Sequence, residues 1–137
     1  MTLSKRRGVN FEYRVAYLFE RYGYSWDRSG SSLGIDLKIL KNGRLHYLVS
    51  CKKTSCSDKI YLPRIEVEML SSAATQAGVK GLVCFGFKRS QVFALTTDQV
   101  QKLKGARLSY KISKGDGHPL AKILEDEARA GLGASPS

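Results

Sequence analysis

The 137-residue chain is predicted to be an α/β protein, a mixed sheet with helices on its faces. Two observations predict it. Stretches with helical 3.6-residue periodicity alternate along the chain with short apolar runs of strand length. One of those runs, GLVCFGF at 81–87, is continuously apolar, as in a strand covered on both faces. A helix-period stretch ahead of it suits a right-handed crossover into that strand.

Taken in order, residues 1–8 (MTLSKRRG) read as a flexible basic arm. The next stretch, VNFEYRVAYLFERYGY, spaces Phe11, Val15, Leu18 and Tyr22 as one helical face, with Asn10 as N-cap and Gly23 as C-cap. SWDRSGSSLG is small and polar and is expected to be a loop. GIDLKILKNGRLHYLVSCKK, 34–53, reads as a hairpin turning at Lys41-Asn42-Gly43-Arg44. IYLP is a short strand stopped by Pro63. RIEVEMLSSAATQAG reads as a helix carrying Ile65, Met69, Ala73 and Gln76 or Ala77 on one face. After GLVCFGF, QVFALTT is a further strand, and TTDQVQKLK opens a helix capped by Thr96 or Thr97. GARLSYKISKG suits a last strand, HPLAKILEDEARAG a C-terminal helix and LGASPS a disordered tail. One nuclease-sized unit over 9–130 is expected, with no internal repeat and no glycine-rich phosphate loop.

Charge narrows the partner. Lys and Arg number 23 against 12 acids, a net charge of +11, which in so small a protein predicts a polyanion, nucleic acid before acidic membrane. A membrane is disfavoured because no basic amphipathic anchor and no apolar run of spanning length is present. The basic N-terminus has no apolar segment behind it, so a cytoplasmic location is expected. The three cysteines, Cys51, Cys56 and Cys84, have neither the spacing of a disulfide framework nor a Cys-x-x-Cys pair for zinc.

The hairpin carries the chemistry. Asp36 stands at the start of its first strand and Lys52 and Lys53 at the end of its second, with Ser50 and Lys52 on one face of that strand. Glu12, beside the apolar stripe of the first helix, can lean over the same rim. Carboxylates at 12 and 36 with a lysine at 52 suit phosphodiester hydrolysis. Hard oxygen ligands hold Mg²⁺ or Mn²⁺, which polarises the phosphate and acidifies a bound water, while lysine neutralises developing charge. The competing reading is a capped strand and solvated rim lysines, and the spacing alone does not separate the two.

With KRRG, FEYRVAYLFERYGY, RSGSS, GIDL, KNGRLHYLVSCKK and KIYLPRIEVEML in this order, residues 4 to 95 resemble the archaeal Holliday-junction resolvases of the PD-(D/E)xK nuclease superfamily. The resemblance implies a restriction-endonuclease-like mixed β-sheet flanked by helices. It also implies a homodimer that binds four-way or branched DNA and nicks it with Mg²⁺ or Mn²⁺. By position, Glu12, Asp36 and the Cys51 carbonyl would hold metal, Lys52 would be the catalytic lysine, and Ser29 would lie near the scissile phosphate. Lys5, Arg6, Arg7, Arg28, Ser31, Ser32 and Lys53 would contact DNA. Neither a clamp nor a helicase partner is identifiable from the sequence.

The chain departs from that pattern at Ser50, where the family's E-x-K motif has glutamate. Three outcomes stay open. Slow cleavage is retained with water in the gap; Glu66 or Glu68 on the following helix replaces the acid; or the chain binds junctions without cutting them. Elsewhere, His46 and His118 have no metal-spaced partner and read as structural. Trp26 suits a core or dimer contact before base stacking, and Glu125, Asp126 and Glu127 suit a solvated helix face.

Overall fold

The computed structural model describes residues 3–28, 34–55, 58–105 and 107–133, with side chains from Asn10 to Ala130. Helix α1 (Leu3–Arg21) leads into the antiparallel strands β1 (Ser25–Arg28), β2 (Leu37–Lys41) and β3 (Arg44–Lys53). Strand β4 (Lys59–Pro63) and helix α2 (Arg64–Ala77) precede β5 (Lys80–Gly86), which lies parallel to β3. Then come β6 (Phe93–Thr96), α3 (Thr97–Gln101), β7 (Ser109–Ser113), a 3₁₀ turn, β8 (His118–Pro119) and α4 (Leu120–Gly133). The main sheet runs β1-β2-β3-β5-β6-β8, and β4 with β7 forms a separate two-stranded ribbon. The expected mixed sheet flanked by helices is the observed one.

Each face of the sheet has its own core. On one, Phe11, Val15 and Phe19 of α1 and Leu120 and Leu124 of α4 pack on Leu37, Ile39, Val49 and Cys84. On the other, Val67, Leu70 and Ala74 of α2 pack with Leu48, Val83, Phe85 and the ribbon residues Leu62 and Ile112. Strand β5 is buried from Gly81 to Gly86, as its unbroken apolar run requires. The β2–β3 turn has Asn42 at φ 54° and Gly43 at φ 76°, the two left-handed residues of a type I′ hairpin. Thr96 caps α3 in a reciprocal box with Gln99. Among the described residues no helix is long and apolar enough to cross a membrane.

Several expectations are corrected. Helix α1 starts at Leu3, so residues 3–8 are helical where an arm was expected, and Asn10 lies inside the helix instead of capping it. Lysine and arginine are good helix formers, and one glycine costs only about 1 kcal/mol, less than the burial of Phe11, Val15 and Phe19 returns. SWDR is a strand: its polar side chains line an edge that needs only backbone bonds to β2. On α2 the buried stripe is Val67, Leu70 and Ala74, and Ile65 is 61% exposed. A face through Val67 is as regular as one through Ile65, and packing against the sheet selects between them. His118 and Pro119 form β8 ahead of α4 rather than its first turn. The C-terminal acids are not all solvated either, because Tyr24 and Tyr47 both donate to Glu127.

Candidate active site

The end of β3 and the start of β2 gather the charged residues. Side chains alternate along β3, so Cys51 and Lys53 lie on the α1 side and Ser50 and Lys52 on the α2 side. Asp36 immediately precedes β2. Its N–H donates to the Val49 carbonyl at 2.8 Å, and its Oδ2 accepts from the Cys51 N–H at 2.6 Å. These two bonds fix the carboxylate on the β3 backbone.

Glu12 reaches the same point from α1, close enough for its charge to act on Asp36. Burial is the main reason the Asp36 carboxyl is raised to about 6, and the Glu12 charge adds to it. The Cys51 N–H and the Lys52 charge pull in the opposite direction. A carboxylate so placed is short of positive charge. Glu12 also carries Arg28, whose Nη2 and Nε stand 2.9 and 3.1 Å from its Oε2, with the guanidinium over the Tyr13 ring.

On the α2 side, Lys52 Nζ is 2.9 Å from Glu66 Oε2. The pair lacks the angle of a hydrogen bond, which leaves that buried oxygen without one. Gly34, at φ 79°, carries the chain past Glu66 close enough that a Cβ there would lie 3.7 Å from the glutamate's own Cβ. Ser50 is 6% exposed and shares with Glu66, Leu62, Val67, Leu70 and Val83 a cavity of about 10 Å³. That is the threshold for a single water. Glu66 therefore borders the space beside position 50, whereas Glu68 is exposed on α2.

Glu12, Asp36, Lys52 and Glu66 thus share one rim, and Arg28 joins them through Glu12. Lys53 stands 5.9 Å from the Phe11 ring, beside a groove of about 290 Å³ formed with Asn10 and Arg14. Lys5, Arg6 and Arg7 lie in the first turns of α1. Ser29, Ser31 and Ser32 fall outside the described residues. Among the described residues no three acid, histidine or cysteine side chains converge as a metal-binding group. The donor set still fits a hard divalent cation. Two carboxylates meet at Glu12 and Asp36, one of them raised by burial and its neighbour, and Glu66 adds a buried oxygen that has the Lys52 charge beside it but no hydrogen bond.

Sequence reasoning did not foresee the Arg28–Glu12 pair or the clamp of Tyr24 and Tyr47 on Glu127. In the clamp, Tyr24 donates at 2.6 Å across 103 residues of sequence, and no local motif could have signalled it. Both hydroxyls are raised, by burial first and Glu127 second. Trp26 packs edge-on against Tyr13 and Tyr17, its indole N–H on Glu20. Cys51 and Cys84 face each other across β3 and β5 as free thiols; Cys56 lies outside the described residues.

A mixed sheet with an acid at one strand's start, a lysine at the next strand's end and a helix-borne glutamate over both has the architecture of a restriction-endonuclease-like nuclease. Residues 3–131 match the model of the family described as archaeal Holliday junction resolvase (Hjc), and the chain belongs to that family. It is 31% identical over 88 residues to the crossover junction endodeoxyribonuclease Hjc of Methanocaldococcus jannaschii. That match covers 64% of this chain and 65% of the relative's length, just short of two thirds. In fold it resembles Archaeoglobus fulgidus Hjc, a Holliday junction resolvase from an archaeal hyperthermophile. The TM-score is 0.73 at 18% identity, over 87% of this chain and 96% of that one. D212, a nuclease from a fusellovirus, superposes with a TM-score of 0.60 at 11% identity, over 91% and 94% of the two chains.

Proposed function

We infer that the chain is a structure-specific endodeoxyribonuclease that cuts four-way DNA junctions. It acts as a symmetric homodimer with Mg²⁺ or Mn²⁺, residues 9–130 forming the nuclease unit. The observation that carries this is the meeting of Asp36, Glu12 and Lys52 at the end of β3, in a chain of the resolvase family. Selectivity would come from junction shape and phosphate contacts rather than base reading, consistent with a net charge of +11. One site in each of two subunits would address two strands symmetrically.

Glu12, Asp36 and the Cys51 carbonyl would hold the metal, with Glu66 as the further acid in place of the one missing at 50. A bound divalent cation supplies Lewis acidity toward the phosphate and a water of lowered pKa. The chain's own groups do the rest. The Cys51 N–H holds the Asp36 carboxylate in place at 2.6 Å. Lys52, whose ammonium Glu66 orients at 2.9 Å, offers positive charge where the phosphate gains negative charge. Lys5, Arg6, Arg7, Lys53 and the serines 29, 31 and 32 serve as phosphate contacts in this scheme.

Exchange of the acid tests the assignment of Glu66. On a labelled four-way junction with Mg²⁺, Glu66→Gln should slow nicking by about 10²-fold, the size of a lost transition-state contact. Ser50→Glu combined with Glu66→Ser should restore most of it. Normal nicking by Glu66→Gln together with faster nicking by Ser50→Glu would show that no acid has moved. If the parent chain binds the junction and only Ser50→Glu cuts it, the function is binding.

A further inference from the structure

Arg28 closes β1 and gives two N–H groups to a single oxygen of Glu12, at 2.9 and 3.1 Å. The arginine side chain is 42% exposed and the glutamate 17%, so a solvent-facing cation covers a more sheltered acid. The guanidinium also stacks 5.4 Å from the centre of the Tyr13 ring, which favours this position over free solution. Across the rim, Lys52 pairs with Glu66 at 2.9 Å, the two side chains being about equally exposed. With all groups ionised, three carboxylates (Glu12, Asp36 and Glu66) face two cations (Arg28 and Lys52), a net charge of −1. One divalent cation makes the set +1, and one phosphate charge then returns it to neutral.

We propose that Arg28 is the resident counter-ion of Glu12. A divalent cation that takes Oε2 displaces it, and the displaced guanidinium then engages a phosphate of the DNA. The proposal rests on the metal-site reading of Glu12 and Asp36. A guanidinium within 3 Å of a ligand oxygen occupies its lone pairs and repels an incoming dication. An exposed pair of this kind is weak enough to be exchanged. Arginine suits both positions, since its planar fork grips carboxylate and phosphate alike. Linkage then makes metal and junction binding mutually reinforcing: each ligand raises the affinity of the other by the same factor. Arg28 is thus a positioning residue that couples the two.

Calorimetric titration of Mn²⁺ into the DNA-free protein tests it, with Arg28→Gln, Arg28→Lys and Asp36→Asn alongside the parent. Junction affinity is measured in Ca²⁺ and in EDTA. Arg28→Gln should bind Mn²⁺ about fivefold more tightly, the upper range for an exposed pair, and should lose most of the Ca²⁺-dependent gain in junction affinity. Arg28→Lys keeps the charge without the two-donor grip. It should shift in the same direction by less, and it carries the test should Arg28→Gln unfold. Unchanged or weaker Mn²⁺ binding by the arginine variants, with binding lost in Asp36→Asn, overturns the proposal. Unaltered Mn²⁺ binding in Asp36→Asn would instead remove the metal site on which it rests.

Discussion

Carboxylates from the flanking helices are held near both ends of strand β3, and the two ends hold them differently. Near its start, Tyr47 joins Tyr24 in clamping Glu127 of α4 with neutral hydroxyls fixed on the sheet and its edge. Near its end, Glu12 and Glu66 are covered by the cations Arg28 and Lys52, each about a third exposed or more. A hydroxyl clamp leaves nothing for a cation or an anion to exchange, and it ties α4 to the sheet. In the proposed reading, cations on carboxylates, beside an Asp36 raised to about 6, can be displaced and make a place where a metal and a phosphate can enter. The sharpest expectation from this contrast is Lys52→Ala. Junction cleavage should fall about 10²–10³-fold, while the melting temperature hardly moves, because the lost pair with Glu66 is partly solvated. A large fall in stability with cleavage per folded molecule preserved would make Lys52 a structural residue, like the tyrosines.

The reverse pattern belongs to Glu127. Glu127→Ala leaves two part-buried hydroxyls without their acceptor, a loss of about 2–3 kcal/mol, or roughly 5–10 °C in melting temperature. Cleavage at 25 °C per folded molecule should match the parent. Glu127→Gln, which keeps one carbonyl acceptor, should lose about half as much stability. A cleavage defect in either variant at full folding would bring this end of β3 into the functional site.

The same contrast explains what was legible in the sequence. The hairpin, the buried β5 run and the Thr96 cap are local patterns, and each stands where the sequence placed it. Glu12, Asp36, Lys52 and Glu66 were legible as candidates because sheet alternation and the hairpin register bring 36 and 52 to one rim. What escaped was settled by tertiary contact. SWDR became a strand only because β2 offers an edge. The α2 stripe through Val67 prevailed over the one through Ile65 because of the sheet beneath it. β4 left the main sheet for a ribbon with β7, some fifty residues on in the chain, a pairing no local pattern encodes. The pairing of Arg28 with Glu12 and of Lys52 with Glu66 escaped for the same reason, since the partners lie on different elements, Arg28 and Glu12 16 positions apart.

The smallest effect separates the two ends by pH. Asp36 titrates near 6 in the folded protein against an ordinary value of 3.8. Between those values the folded state holds more protons than the unfolded one, so metal-free stability falls as pH rises from about 4 to 6 and stays reduced above. Asp36→Asn has no charge to desolvate and can still accept from the Cys51 N–H through its amide oxygen. In EDTA at pH 8 it should therefore be more stable than the parent by about 1 kcal/mol, after discounting for partial solvation. That advantage should vanish below about pH 4, where the parent's Asp36 is protonated in both states. Added Mn²⁺ should reverse the order at pH 8, because only the parent binds it and binding stabilises the folded state. An Asp36→Asn variant no more stable than the parent at pH 8 would mean that Lys52 and the Cys51 N–H already meet the needs of this carboxylate. The rim would then resemble the tyrosine clamp, a satisfied structural acid with no call for a metal.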